Sequence, residues 1–162
     1  LISDESENVE INVGDRLICF NINGYSFISR LLEGEFVNYE KIIPADHTQT
    51  TTVICDEMID SVERVSLLIN DSFSTPIRCA FSKEELNISC STALGRAKEK
   101  MPINLEGTEF EMGLNSRYLL DALRAIDTEE IQILFNGANA GILMKALDGD
   151  SFEYMIMPMR LK

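Results

Sequence analysis

The stretch FEMGLNSRYLLDALRAI, Phe110 to Ile126, reads as a strand that turns directly into a helix. Phe110 to Leu114 is the strand. Asn115 stands where a side-chain oxygen can accept the unpaired N–H groups of a first helical turn. Leu119, Leu123 and Ile126 then form one stripe for burial, and at 100° per residue Arg117, Asp121 and Arg124 fall on the opposite side. Three further strands are predicted, Ile131 to Phe135, Ile142 to Ala146 and Phe152 to Met157.

The same order occurs upstream. The β-branched run Thr50 to Ile54 leads into a helix predicted from about Asp56 to Ile69, with Asp56 and Glu57 near the positive end of its dipole. Met58, Val62, Val65 and Ile69 recur at helical spacing, one stripe for burial. Strands are expected at Ile77 to Phe81, Leu86 to Cys90 and roughly Arg96 to Ile103. Strand, helix, three strands thus occurs twice, about sixty residues apart, as a repeat of pattern rather than of identity. Two such units imply an α+β fold in which two sheets are covered on one side by a pair of helices.

Ahead of the repeat, Val9, Ile11 and Val13 alternate with polar residues, Gly14-Asp15 breaks the run, and Arg16 to Ile22 is a second strand. Asn23-Gly24 is the strongest hairpin signal in the chain, because both central residues of a type I′ turn need positive φ. Tyr25 to Leu32 returns. Leu32 to Pro44 lacks periodicity, and a domain boundary is placed there, dividing residues 1–44 from 45–162.

Composition narrows the function classes. With 162 residues, 45% hydrophobic and 25% charged, the chain can bury one proper core. No apolar run is long enough for a membrane span, and residues from Leu1 onward lack the order of a signal peptide, so a cytoplasmic protein is expected. It begins with Leu1 rather than methionine, and the acidic Asp4, Glu5 and Glu7 lead straight into strand-like sequence. A longer protein, of which this is the later part, is expected. Cys19, Cys55, Cys79 and Cys90 have no metal or redox spacing and read as free thiols, so no cofactor or metal is expected. The net charge is −13, with three basic against eight acidic residues up to Pro44 and eleven against nineteen beyond it. Taken alone, that charge argues against binding a polyanion.

Catalytic signatures are lacking. The single histidine, His47, lies in a polar loop sequence, and no nucleophile elbow or phosphate-cradling loop occurs. A small enzyme using Glu109, Glu111 and Asp121 stays open as an alternative, as does a structural assembly domain. Two features lie outside an ordinary core. Leu67 points about half a turn away from the Met58 stripe. The last eleven residues hold eight apolar ones, Phe152, Tyr154, Met155, Ile156, Met157, Pro158, Met159 and Leu161. A docked strand accounts for Phe152 to Met157. Met159 and Leu161, beyond a proline that cannot donate to a ladder, suit either a core tail or a binding groove rich in adaptable methionine.

Three stretches resemble one family. YMIMPMRL, Tyr154 to Leu161, is similar to the C-terminal tail of bacterial DNA sliding clamps, the beta subunits of the replicative DNA polymerase III. LLEGEFVNYEKIIP, Leu31 to Pro44, resembles the linker between the clamp's second and third domains. GLNSRYLLDAL, Gly113 to Leu123, resembles part of the third domain. They occur in family order at family spacing, over essentially the whole chain. Residues 1–44 would then be the end of the middle domain, incomplete here, and 45–162 the third domain.

The resemblance implies a DNA clamp fold, non-catalytic, acting as a processivity factor in DNA replication. In that family a head-to-tail homodimer closes a ring around double-stranded DNA, held by topology and weak contacts. Arg64, Arg117 and Arg124 would face the hole. Leu67 and Leu68 would meet the first domain of the neighbouring subunit. The replicative polymerase, the clamp loader and repair proteins would insert short peptide motifs into an apolar groove. Its third-domain side would be Lys41, Ile42, Phe73, Asn115, Tyr118, Ile156, Met157, Pro158, Met159 and Arg160, an apolar floor with a few orienting polar groups. Val37 stands where relatives commonly have proline, and Lys162 extends the usual ending, which puts the groove's shape near both in question. Without first domains no ring closes, so the chain alone is expected to be monomeric or irregularly associated and not to retain DNA.

Overall fold

The computed structural model describes residues 8–71, 74–149 and 151–161. It falls into two compact units, Leu1–Tyr39 and Glu40–Lys162.

The first unit is a three-stranded antiparallel meander, β1 (Glu10–Val13), β2 (Leu17–Ile22) and β3 (Tyr25–Arg30), in the order β1-β2-β3. Asn23 and Gly24 turn β2 into β3 with φ of 49° and 80°, the left-handed pair that a right-twisted hairpin requires. Ile11, Phe20 and Phe27 are directly opposed across the three strands and share one face.

The second unit holds β4 (Gln49–Ile54), α1 (Cys55–Ser66), β5 (Ile77–Phe81), β6 (Glu85–Thr92) and β7 (Gly95–Pro102). It continues with β8 (Phe110–Leu114), α2 (Ser116–Arg124), β9 (Glu130–Phe135), β10 (Ile142–Ala146) and β11 (Glu153–Ile156). The two halves exchange their first strands. One sheet runs β11-β10-β9-β4 and the other β7-β6-β5-β8, so β4 pairs with the second half's strands and β8 with the first half's. Both exchanges are antiparallel, Val53 opposite Ile131 and Cys79 opposite Met112. Neither half can complete a sheet alone, which makes the pair one folding unit around one core.

Strand alternation fills that core. Ile77, Cys79 and Phe81 of β5, Leu86 and Ile88 of β6, and Ile131, Ile133 and Phe135 of β9 point inward. Met58, Val62 and Val65 of α1 and Leu119 and Leu123 of α2 meet them and are fully or almost fully buried. Each such side chain contributes about 1.5–3 kcal/mol through loss of apolar surface from water. Phe81 and Phe110 stack with ring centroids 4.9 Å apart, and Phe135 of the other sheet meets both edge-on at 4.8 and 5.0 Å. The cluster therefore ties the two sheets together.

Asn115 caps α2, its Oδ1 accepting the N–H groups of Arg117 and Tyr118 at 3.0 and 3.2 Å. The helix ends at Arg124, with Ala125 as its C-cap, and Ile126 is buried just beyond it. The first helix is shorter than the predicted span to Ile69. It stops at Ser66, whose Oγ donates back to the Val62 carbonyl at 2.6 Å, and Ile69 N–H closes a turn onto the Ser66 carbonyl at 2.9 Å. Ending there leaves Leu67 81% exposed while Leu68 and Ile69 pack against the core. Among the described residues no helix is long and apolar enough to cross a membrane.

Candidate functional site

The last strand decides the site. β11 pairs with β10, Ile156 opposite Ile142, and Ile156 is buried. From Met157 the chain leaves this sheet. Met159 N–H donates to the Gly113 carbonyl at 2.8 Å, so the tail lies along β8, the edge of the other sheet. A Cβ on Gly113 would sit 2.5 Å from the Met159 carbonyl oxygen and 2.9 Å from Leu161 Cδ2. Only glycine lets the tail approach this closely. At Gly141 the nearest neighbours of an added Cβ would be movable side-chain ends, Met155 Cε at 2.5 Å and Met157 Sδ at 3.2 Å.

Between α2 and this departing tail lies a groove of about 690 Å³, lined by Asn115, Tyr118, Asp121, Ala122, Tyr154, Met155, Ile156, Met157 and Met159. Tyr118 and Met157 are 51% and 58% exposed, so a ring and a thioether reach the surface here. Asn115 is buried, and its oxygen is committed to starting the helix that carries Tyr118. Asp121 is the carboxylate in the groove's lining among the described residues, and Arg117 lies 3.9 Å from it. The surface is apolar with a polar edge, which suits holding a short chain by its side chains.

Of the residues assigned to a peptide groove from sequence, Asn115, Tyr118, Ile156, Met157 and Met159 come together here. Pro158 and Arg160 line an adjoining hollow of about 430 Å³ with Met159, Gly113 and Leu161. Lys41, at the end of a single 3-10 turn, and Ile42 are exposed and do not line the groove. Phe73 and Lys162 lie outside the described residues, as do Asp4, Glu5 and Glu7. Tyr154, Met155, Asp121 and Ala122 were not foreseen as lining. Tyr154 and Met155 alternate along β11, and the direction of the last strand cannot be read from spacing alone. Asp121 and Ala122 follow from Tyr118 by helical periodicity, the signal that could have found them.

The arginines on the outward helical faces are all held by carboxylates. Arg124 Nη2 is 2.6 Å from Glu63 Oε1 and joins α2 to α1. Arg64 bridges Glu99 at 3.1 Å and Asp60 at 3.6 Å, and its hydrogen bond to Glu99 raises its pKa further. Both ends of the Arg124–Glu63 pair are more than a third exposed, where an ion pair contributes about 0–1 kcal/mol, and Arg64 is itself half exposed. The arginines therefore remain available to exchange partners.

The acids considered for an enzyme do not converge. Glu111 pairs with Arg78 on the sheet, Glu109 accepts the Lys83 N–H at 3.1 Å, and Asp121 sits on α2. Among the described residues no three His, Cys, Asp or Glu side chains cluster as a metal site.

A duplicated α+β domain with paired helices and a groove beside its final strand defines a class, and comparison with known proteins specifies it. The chain belongs to the family described as DNA polymerase III beta subunit, C-terminal domain, which matches residues 40–160. It is 29% identical over 162 residues to the beta sliding clamp of Staphylococcus epidermidis, covering 99% of this chain and 43% of that protein. The Staphylococcus aureus clamp is 28% identical over the same length and coverage. A solved DNA polymerase III subunit beta from Pseudomonas aeruginosa superposes with a TM-score of 0.83 at 28% identity, over 98% of this chain and 44% of that one. The Bacillus subtilis sliding clamp gives 0.79 at 25% identity, over 95% and 41%. The chain thus spans less than half the length of the relatives it matches.

Proposed function

We propose that this chain is the later part of a cytoplasmic sliding clamp, a processivity factor that acts by holding on rather than by chemistry. Residues 1–44 form the end of a middle domain and 45–162 the third domain, in a head-to-tail homodimeric ring around duplex DNA. Family membership supports this reading, and so does an inner-helix surface that presents Arg64, Arg117 and Arg124 in exchangeable pairs. A ring retains DNA by topology, so strong phosphate contacts are unnecessary, and a net charge of −13 is tolerable. Exposed Leu67, with Leu68 beside it, provides the surface that meets the neighbouring subunit.

The single observation that carries the partner-binding half of the proposal is the groove between Tyr118 and the departing methionine tail. An apolar-anchored peptide from the replicative polymerase, the clamp loader or a repair protein fits there, its backbone oriented by Arg160 and its side chains taken up by Met157 and Met159. Lys41, Ile42 and Phe73 would join when the rest of the ring is present.

The test is a titration of the chain with a clamp-binding peptide from a bacterial replicative polymerase, followed by methionine-methyl NMR. Shifts should concentrate at Met155, Met157 and Met159, and Tyr118→Ala should weaken binding about tenfold, the loss expected when an anchoring aromatic is truncated. Shifts spread evenly over all methionines, or equal binding by Tyr118→Ala, would remove the groove from the proposal.

A further inference from the structure

The sheet face turned away from the helices carries a second feature. Alternation on β5, β6 and β7 sends Ile77, Cys79, Leu86, Ile88 and Cys90 into the core and the intervening residues outward. Gly113, Arg78, Ser89 and Lys98 are opposed across β8, β5, β6 and β7, and Ser91 faces Arg96 beside them. Around these residues lies a hollow of about 430 Å³ whose lining includes Arg78, Ser89, Ser91, Arg96, Lys98 and, from the tail, Leu161. No acidic side chain lines it among the described residues. Arg78 is paired with Glu111, whereas Arg96 and Lys98 form no ion pair among the described residues.

With Arg78 offset by Glu111, Arg96 and Lys98 beside two hydroxyls leave a local positive excess on a chain whose net charge is −13. At physiological ionic strength charges are screened beyond about 8 Å, so a small anionic segment in the hollow feels chiefly Arg96 and Lys98, with Arg78 offset by Glu111 and Lys98 shared with Glu85. A long polyanion would extend past the hollow onto the acidic remainder. It would also find, among the described residues, no aromatic ring in the lining on which bases could stack. Arginine offers a planar fork to a carboxylate, and the serine hydroxyls supply further hydrogen bonds. Leu161, Pro76 and Ala97 add an apolar wall for one aliphatic side chain.

We propose that this hollow, with Arg78, Arg96 and Lys98 around Ser89 and Ser91 and bounded by Leu161, docks a short acidic peptide segment of a partner protein. It is separate from the groove beside Tyr118 and does not depend on the ring. The two share the tail: Leu161 walls the hollow and Met159 lines the groove. One partner with an acidic stretch beside an apolar motif could therefore engage both.

The probe is a fluorescein-labelled hexapeptide of glutamates and leucines, with a control in which glutamine replaces each glutamate. Only the acidic peptide should bind, more weakly as sodium chloride is raised, with amide shifts at Ser89, Ala97 and Leu161. Reversing the two unpaired cations, R96E with K98E, should weaken binding about tenfold or more, because each change removes an attraction and adds a repulsion. The same charge change placed outside the lining, R16E with R30E, should alter it by less than about twofold, since neither residue lines the hollow. Absence of binding, equal binding of the glutamine peptide or equal loss in both double variants would overturn the proposal. So would shifts confined to the Tyr118 groove, and tighter binding of a single-stranded oligonucleotide to the same residues would replace the peptide with nucleic acid.

Discussion

The Met159 amide donates to the Gly113 carbonyl at 2.8 Å, so the tail beyond β11 is fastened to the strand that introduces α2. The groove is therefore not a crease between independent pieces. One wall is the helix launched by β8, and the other is the tail pinned to β8.

Gly113→Ala should break that arrangement. The added Cβ would lie 2.5 Å from the Met159 carbonyl oxygen, closer than real contacts allow, and the obstruction is backbone rather than a side chain that can swing away. Overpacking of this kind costs about 1–3 kcal/mol. Denaturant unfolding should show that loss, and the Met157 and Met159 methyl resonances should move while those of Met58 and Met112 in the core stay in place. Unchanged tail resonances would mean that the tail does not rest on β8 in solution.

Gln49 is the buried polar residue that joins the halves. Its Nε2 donates to the Thr108 carbonyl and hydroxyl at 2.7 and 3.1 Å, and its Oε1 accepts the Gly137 N–H at 2.8 Å. One side chain thereby links the start of β4 to the loops before β8 and after β9. Gln49→Leu keeps the bulk and removes every one of these bonds, so a loss of about 1–3 kcal/mol is expected from the backbone groups left unpaired. A melting temperature equal to that of the parent would show that water replaces the glutamine.

How much of this was legible follows from the range of the forces involved. The doubled strand-helix-three-strand order, the Asn23-Gly24 turn and the Asn115 cap are local, set by periodicity and by a side chain's reach to its own backbone. The exchange of β4 and β8 between halves was not legible, because a strand's pattern names the face it buries and not the neighbour it pairs with. For the same reason the role of Gly113 was hidden until the tail was seen crossing it. The sequence distinguished Met159 and Leu161 from a routine core strand, yet left open which way they turned.

Thr51 offers a stabilising change. Its side chain points into the core from β4, and its Oγ1 has no hydrogen-bond partner among the described residues. A buried hydroxyl without a partner costs about 1–3 kcal/mol in desolvation, and valine has nearly the same shape without the polar atom. Thr51→Val should therefore raise stability by about 1 kcal/mol, read as a higher urea midpoint at unchanged slope. A lower midpoint would mean that the hydroxyl is satisfied in solution.

His47 contributes to the pH response of the second unit. Burial first, then the nearby Lys145 ammonium, hold its pKa below the ordinary 6.5, against the opposing pull of Asp46 and Glu153. The native state therefore prefers the neutral imidazole, and in acid the unfolded chain takes up the proton more readily. Stability from this group is fully present above pH 6.5 and is lost as pH falls through the lower native value. An NMR titration of the imidazole should give a midpoint below 6.5, and His47→Gln should flatten the fall in stability across that window. A midpoint above 6.5 would reverse the sign, and would mean that Asp46 and Glu153 outweigh Lys145 and burial.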